Sequence, residues 1–571
     1  MKKPQQMKPG IKYRNKYIVL PLLLSALCFR LPASENMYLH IDRDKYIAGE
    51  YIWFSIYTTE SETQKLSPVS SIAYAELINP WNKAILQSRF RLTGGRGDGA
   101  FMLPDTLSSG TYILRCYTNL MKNSLPGGCF MQEIQIFNPL SGSDFHVRSS
   151  PGDSNPGTSL SSQAYKEDLL QAVTDSIYNR RQKVTLGIKL NSMDLPGENA
   201  DISISVIPSN LVPAEPLESD RVISSSNSGK FSAETGGHFL SFLVRYRGNG
   251  NADSSDFLFM SVQGKVAELR YAQADAEGRF TFFLPVDDRL RNLIIQPEYI
   301  SGNMVLEMES PFSVLVPDNK CIKTEMSYKL TTLFSGLSFN YQASRIYGTD
   351  MKQSIFTSNE NEKRRRFYGI PEMEILLDDY IRLPNMQEVF FELLPGIIIR
   401  ERKGEYEIQI TNPLTGEFYK EPPLVMIDGV IINNLSVLID FDPGLVEKIE
   451  VIKTPYLIGD LILHGIVNVI TRDGNFRNQE ENDYAVVLPY RVVERPPVFT
   501  SPDYSDEVKK SSRTPDLRNT LYWNPSVRTN SRGEAEAEFW TSDLPGDYTI
   551  NINGISESGK KISWRKSFVV R

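Results

Sequence analysis

Cysteine and histidine are scarce: the 571 residues contain four of each. His40, His146, His238 and His464 stand far apart, with no i,i+4 pair among them and no cysteine cluster nearby. No zinc site is therefore spelled out. A Gly-x-Ser-x-Gly elbow, a phosphate-cradling loop and a carboxylate pair in a known catalytic context are also missing. The chain lacks excess positive charge, at a formal −7, which argues against a nucleic-acid partner. No apolar run reaches the ~20 residues of a membrane-spanning helix. These absences predict a non-enzymatic protein with no catalytic, cofactor-binding or metal-binding residues. Trp53, Trp523, Trp540 and Trp564 all sit in strand-like contexts, where core packing is the default for a large aromatic.

What is present first is an N-terminal export pattern. Basic residues from Lys2 to Lys16 precede the short apolar stretch Tyr17–Phe29, which Pro21 interrupts. Small residues at Ala33 and Ser34 then suit cleavage, so residues 1–34 read as a signal peptide. Acylation at Cys28 is the alternative, with Leu27 standing where a small residue is usual; an uncleaved anchor is another. The expected location is the periplasm, the outer membrane or the cell surface, with peripheral membrane association allowed. Cys116, Cys129 and Cys321 remain after cleavage, and Cys116 and Cys129 read either as two half-buried thiols or as a pair across a hairpin.

From residue 35 to 138, short stretches of alternating apolar and polar residues are separated by glycine-rich turns, which predicts a β-sandwich. Residues 139–163 are rich in Ser, Gly and Pro and read as a flexible linker. Further β pattern predicts two small sandwiches over 164–234 and 235–318, the latter including "SPFSVLVP". A connector is expected over 319–369, with the basic run Asn361–Phe367 as a solvated face. Residues 370–476 change to mixed α/β. A helix is predicted after Asn385, stopped by Gly396, and a two-residue turn at Asp428–Gly429 joins two strands. An extended connector over 477–515 follows, with Phe499 and Tyr504 expected to tack onto a neighbouring domain. A last β domain is expected over 516–571. The predicted class is multidomain and mainly β, with one small α/β unit.

"DRDKYIAGEYIWFSIY" (residues 42–57) and "LSSGTYILRCYT" (107–118) resemble the macroglobulin-type β-sandwiches of the alpha-2-macroglobulin family. "YNRRQKVTLGIKL" with "GENADISISVI", and the segment from Thr520 onward, resemble further domains of that type. "VMIDGVII", "VEKIEVIK" and "GIVNVITRDG" resemble, in the right order, the plug domain of TonB-dependent receptors. On that resemblance the motif positions are Ile427, Asp428, Gly429, Glu447, Ile449, Glu450, Val451, Gly465, Asn468 and Ile470, all structural in role. The family's "A-x-x-Y-G" stretch is replaced here by "PYLIGDLILHG". A receptor barrel of 22 strands would need ~200–240 further residues, which residues 475–571 do not supply. The combination is similar to a group of Bacteroidetes proteins that pair macroglobulin-type sandwiches with a plug and no barrel.

These resemblances imply a protein that docks other proteins, with an outer-membrane TonB-dependent channel or a TonB-type component as the expected partner. The alternatives are a structural or host-interaction protein, and a macroglobulin-like protease-binding protein. For the last, Cys129 and Gln132 have thioester-like spacing but lack the intervening Gly-Glu. "GRGD" (95–98) reads as a hairpin turn rather than an adhesion tripeptide. Asp42, Asp44 and Glu50 are expected to make turn and surface contacts.

Overall fold

The computed structural model describes residues 34–140, 169–191, 198–217, 230–246, 250–251, 257–297, 304–315, 328–347, 365–402, 404–459, 461–476 and 485–571. The signal-peptide expectation, most of the 139–163 linker, Cys28 and Cys321 lie outside them. The described chain is mainly β, in many sheets, as its alternating pattern predicts. Among the described residues no helix is long and apolar enough to cross a membrane.

The first sandwich has a three-stranded sheet (Glu35–Ile41, Tyr51–Glu60, Arg96–Met102) facing a five-stranded one. Alternation turns Leu39, Ile52, Phe54 and Ile56 inward against Ala75, Leu77, Leu114 and Ile134. Burial of such side chains contributes ~1.5–3 kcal/mol each. The two cysteines are free and buried, and burial first, then each other's proximity, raises the Cys116 thiol well above its usual range. Arg115 and Glu76 are fully buried on adjacent strands of the larger sheet. Arg115 Nε donates to Glu76 Oε2 at 2.9 Å, and its Nη2 donates to the Ser313 carbonyl at 3.3 Å. Replacing Arg115 by Ala leaves a buried carboxylate without its cation. We expect a loss of about 3–5 kcal/mol in denaturant melts; a loss below 1 kcal/mol would show the pair is dispensable.

The second and the last expected domains are one body. Ala200–Pro208 pairs along its whole length with Gly546–Ser556 on one side and over most of its length with Tyr522–Arg528 on the other. In the facing sheet, Lys183–Leu190 pairs with Glu534–Trp540. A single core joins Val184, Leu186, Ile202 and Ile204 to Phe539, Ile550, Ile552 and Phe568. This split sandwich corrects the separate domains drawn at 164–234 and 516–571. Neither half buries its apolar face alone, and each supplies the other's missing strands.

A third sandwich forms around Gly237–Tyr246, Phe257–Val262, Arg279–Pro285 and Arg291–Pro297. Val486–Tyr490 returns to pair with Arg291–Pro297, so the 477–515 connector contains a strand. "SPFSVLVP" is not a strand over its described part; Arg115 and Tyr117 hold it as a strap. The first and third sandwiches share a core in which Tyr74, Ile113 and Tyr117 meet Leu240, Phe242 and Met260.

The expected connector contains a helix, Tyr328–Ile346, that the sequence reading missed. Thr, Ser and Gly336 are weak helix formers. Tertiary contact compensates: Phe334, Leu337 and Tyr341 pack on Ile47, Ile207 and Leu211. Phe499 and Tyr504 do tack down, Phe499 edge-on to Trp53 at 5.6 Å and Tyr504 edge-on to Trp540 at 6.0 Å.

Candidate functional site

The α/β unit is built on a five-stranded sheet in the order 373–376, 446–452, 466–471, 424–427, 430–431. Leu424–Ile427 runs parallel to Ile466–Thr471, and the other pairings are antiparallel. The helix Met386–Leu393 starts where expected: Asn385 Oδ1 accepts from Glu388 N at 2.9 Å. Alternation divides the sheet's two faces. Ile427, Ile449 and Val451 point into the core beneath the helices, with Val425, Val467 and Val469. Glu450 and Asn468, register partners on adjacent strands, share the other face. Ile470 is fully buried.

Asp428 and Gly429 have φ of +48° and +78°, the left-handed turn that Asp-Gly favours. The Asp428 carboxylate is fully buried. It accepts from Thr471 N at 2.8 Å, Thr471 Oγ1 at 2.6 Å and Phe476 N at 2.9 Å. The turn is thus a clamp that ties one end of the central strands to the exiting chain. Its outer surface is occupied. Gly264 N donates to Asp428 O at 3.0 Å, and a Cβ on Gly429 would lie 2.9 Å from Val262 O of the third sandwich. Met426 and Ile431 pack on Phe259 and Leu269, and Glu447 pairs with Lys265 across the same junction. Gly465, with φ +101°, lets Ile410 approach to 2.8 Å of where a Cβ would stand.

Glu450 and Asn468 are brought together by residues the sequence reading did not single out. Tyr368 OH donates to Glu450 Oε2 at 2.6 Å and accepts from Asn468 Nδ2 at 3.0 Å. Arg366 Nη2 and Lys448 Nζ lie 2.6 and 2.8 Å from Glu450 Oε1. Burial, with the Glu450 carboxylate, pushes the Tyr368 phenol far above its usual range. Arg366 belongs to the basic run expected to be a solvated face; a buried carboxylate nearby is what draws it in. Phe367 N also donates to Ala267 O of the third sandwich at 2.9 Å. Both the turn and the polar face of the unit are therefore fastened down.

Its other end is open. Beside the helix Met386–Leu393 lies a cleft of about 220 Å³ lined by Tyr380, Ile381, Leu383, Val389, Leu393 and Pro443. Asp378, Arg382 and Arg472 line it as well. Ile381 is 85 % exposed there and Leu445, next to Gly444, 53 %, while Phe391, 80 % exposed, lies on the helix side away from Val389 and Leu393. Arg472 and Asp378 pair across the rim at 2.6 Å, as do Arg382 and Asp442 at 3.3 Å.

The acids of the first segment are not surface residues. Asp42 accepts from Tyr46, Trp53 N and, at 2.7 Å, Thr520 of the split sandwich. Glu50 binds Arg43 at 2.9 Å and Asn519 at 2.8 Å. Asp44 accepts from Ala214 N at 2.9 Å. Burial raises the Asp42 carboxyl despite Arg43 and these hydrogen bonds. His40 sits in the same seam, its Nδ1 2.6 Å from Ser203 Oγ and its Nε2 3.2 Å from Ser205 Oγ. Burial first, then Arg565 and Arg96, lowers its pKa to about 3.

His238 has a relay-like arrangement, 2.7 Å from Glu234 Oε1 and 2.7 Å from Tyr490 OH. All three are buried between the first and third sandwiches, so the relay is a seam with no room for a substrate. Among the described residues no group of three His, Cys, Asp or Glu is placed to hold a metal. Cys129 and Gln132 give no thioester geometry: both are buried, and Gln132 Nε2 donates to Ala214 O at 3.3 Å. In "GRGD", Arg96 lies over the Tyr57 ring at 4.2 Å and binds the Pro525 carbonyl, so it is a structural residue.

No family model matches the chain, and no curated protein matches it. Among solved structures, the native Escherichia coli alpha-2-macroglobulin is similar over 95 % of this chain and 41 % of its own, at 9 % identity and TM-score 0.24. Salmonella alpha-2-macroglobulin reacted with methylamine is similar over 94 % and 40 %, at 8 % identity and TM-score 0.24. The Yersinia pseudotuberculosis adhesin InvE follows at 48 % and 58 %, with 12 % identity and TM-score 0.13. The chain spans about two fifths of the length of the macroglobulins. At such scores the mainly-β class rests on the chain's own sheets.

Proposed function

We propose that this is a non-enzymatic, exported cell-envelope protein that docks a protein partner through the open, helical end of its plug-like unit. The partner is an outer-membrane β-barrel channel of the TonB-dependent kind. The observation that carries this reading is the asymmetry of the unit. Its turn and polar face are sealed against the third sandwich, while at the other end Ile381 and Leu445 stand exposed at a cleft of mixed apolar and charged lining, and Phe391 is exposed on the outer side of the adjoining helix. Exposed apolar clusters rimmed by charge mark protein-binding surfaces. The sandwiches supply a rigid support, and the buried seams of Asp42, His40 and His238 keep that support in one arrangement.

Capture from the native envelope tests the reading. The tagged full chain is expected to recover an outer-membrane β-barrel protein, with recovery falling at least tenfold in Ile381→Glu/Phe391→Glu. Both side chains are exposed, so the variant is expected to melt as the parent does. Recovery of no barrel protein, or equal recovery by the variant, would count against docking at this end. A protease-binding role, the alternative drawn from the macroglobulin resemblance, gains no support from Cys129 and Gln132.

A further inference from the structure

Met373–Leu376 is the outer strand of the α/β unit's sheet, and the ladder fixes where its backbone groups point. A strand residue sends its N–H and C=O to one side, and its neighbours send theirs to the other. Leu424 N donates to Gly465 O at 3.0 Å and Asp428 N to Val469 O at 2.8 Å, so Gly465, Val467 and Val469 face Leu424–Ile427. Ile466, Asn468 and Ile470 therefore face their register partners Ile452, Glu450 and Lys448. Ile449 and Val451 are left to face Ile375 and Met373, and the bond from Glu372 N to Val451 O at 3.0 Å lies on that side. The N–H and C=O of Glu374 and Leu376 then point away from the sheet, where no described residue meets them.

A strand edge with free backbone groups accepts another strand unless something blunts it. Pro285, Pro489 and Pro525 blunt the edge strands that end three other sheets. Met373–Leu376 has no proline, and its one charge is already matched, Glu374 Oε2 lying 3.0 Å from Lys448 Nζ. Alternation turns Met373 and Ile375 toward the core beneath the helices and leaves Glu374 and Leu376 on the polar face. Ile370, Leu376, Tyr380 and Ile381 stand exposed along this border. Leu377 follows the strand directly and already lines the cleft, whose far wall is Val389 and Leu393 of the helix Met386–Leu393. The free edge thus runs into the cleft on the helix side.

We propose that the barrel partner docks by adding an extended segment of its chain to Met373–Leu376, with its backbone bonded to Glu374 and Leu376 and one apolar side chain lowered into the cleft. Strand addition rests on the docking reading above and gives it a mode of contact. The backbone groups select the occupant, because only an extended chain repeats N–H and C=O at the spacing of a strand. Its side chains alternate, apolar beside Met373 and Ile375 and polar beside Glu374.

Amide hydrogen exchange and envelope capture, both on the full chain, test it together. In the free chain the Glu374 and Leu376 amides are expected to exchange at least a hundredfold faster than those of Met373 and Ile375. In the captured complex both are expected to slow at least tenfold. Leu376→Pro removes one outward N–H and no ladder bond, at a φ of −84° that proline can approach. It is expected to lower recovery of the barrel protein at least tenfold, and Leu376→Ala, which keeps the N–H, by threefold at most. A synthetic peptide of alternating threonine and valine needs no envelope, and is expected to slow the same two amides. Capture with the two amides unchanged, or equal recovery by Leu376→Pro and Leu376→Ala, would overturn strand addition while docking stands. Should Leu376→Pro fold poorly, exchange in the unaltered chain decides. With no barrel protein recovered, slowing by the peptide keeps the edge as a strand acceptor and removes the barrel as its partner; no slowing by the peptide removes both.

Discussion

Replacing Asp428 by alanine is expected to destabilise the chain by on the order of 4 kcal/mol. Three donors, Thr471 N, Thr471 Oγ1 and Phe476 N, converge on this one buried carboxylate. Each buried donor left unmatched costs ~1–3 kcal/mol, although the hydroxyl can turn to another acceptor. Alanine also tolerates the +48° φ less well than aspartate does, which adds about 1 kcal/mol. Asp428→Asn keeps one oxygen but aims an NH2 at a donor, so an intermediate loss of about 2 kcal/mol is expected. Urea melts give the total, and amide exchange at Thr471 and Phe476 localises it. A loss under 0.5 kcal/mol for Asp428→Ala would show that the turn is not a clamp.

Acid is expected to loosen the seam at His40. The folded pKa, about 3, lies below the ordinary value of 6.5. The separated or unfolded state therefore takes up a proton that the docked state refuses. The stability His40 allows is complete above about pH 6.5 and is lost as the pH falls toward the folded pKa. At 1.36 kcal/mol per pH unit, lowering the pH from 6.5 to 4.5 costs about 3 kcal/mol. His238, also lowered, mainly by burial and with Arg89 adding to it, acts in the same direction at the other seam. Asp42 acts oppositely, because its raised carboxyl gains a proton in the folded state as acid is added above the ordinary carboxyl range. His40's loss begins below about pH 6.5, and Asp42's proton uptake offsets it at lower pH. His40→Gln preserves hydrogen bonding to Ser203 and Ser205 without a titrating group, and is expected to flatten that slope by about one proton. An unchanged slope of stability against pH in His40→Gln would exclude His40 as its source.

The local elements were legible because local rules determine them. Asn385 caps its helix, Asp428–Gly429 turns its hairpin, and period-two alternation marks most strands. Partnership between strands was not legible. The alternation in "ADISISVIP" says that one face is buried, but not that its neighbours are Tyr522–Arg528 and Gly546–Ser556, more than 300 residues away. For that reason one sandwich was read as two domains. The helix Tyr328–Ile346 was lost for the converse reason: its propensity is weak and its apolar contacts lie on other bodies. At the candidate site Asp428, Glu450 and Asn468 were singled out only through the resemblance to a receptor plug. Arg366, Tyr368 and Thr471 were not, since only the fold brings them to those carboxylates. The acids of the "DRDKYIAGE" stretch misled for the same reason. Asp and Glu default to the surface, and their buried partners Thr520 and Asn519 come from the far end of the chain.

The proposal that the α/β unit is sealed on one side and docks through the other is tested most directly by site-specific photo-cross-linking in the native envelope. A photoreactive residue at position 391 or 381 is expected to trap an outer-membrane β-barrel protein, while one at position 431 is expected to cross-link only within the chain, to the third sandwich. Cross-links to a barrel protein from position 431, or none from 381 and 391, would contradict the account.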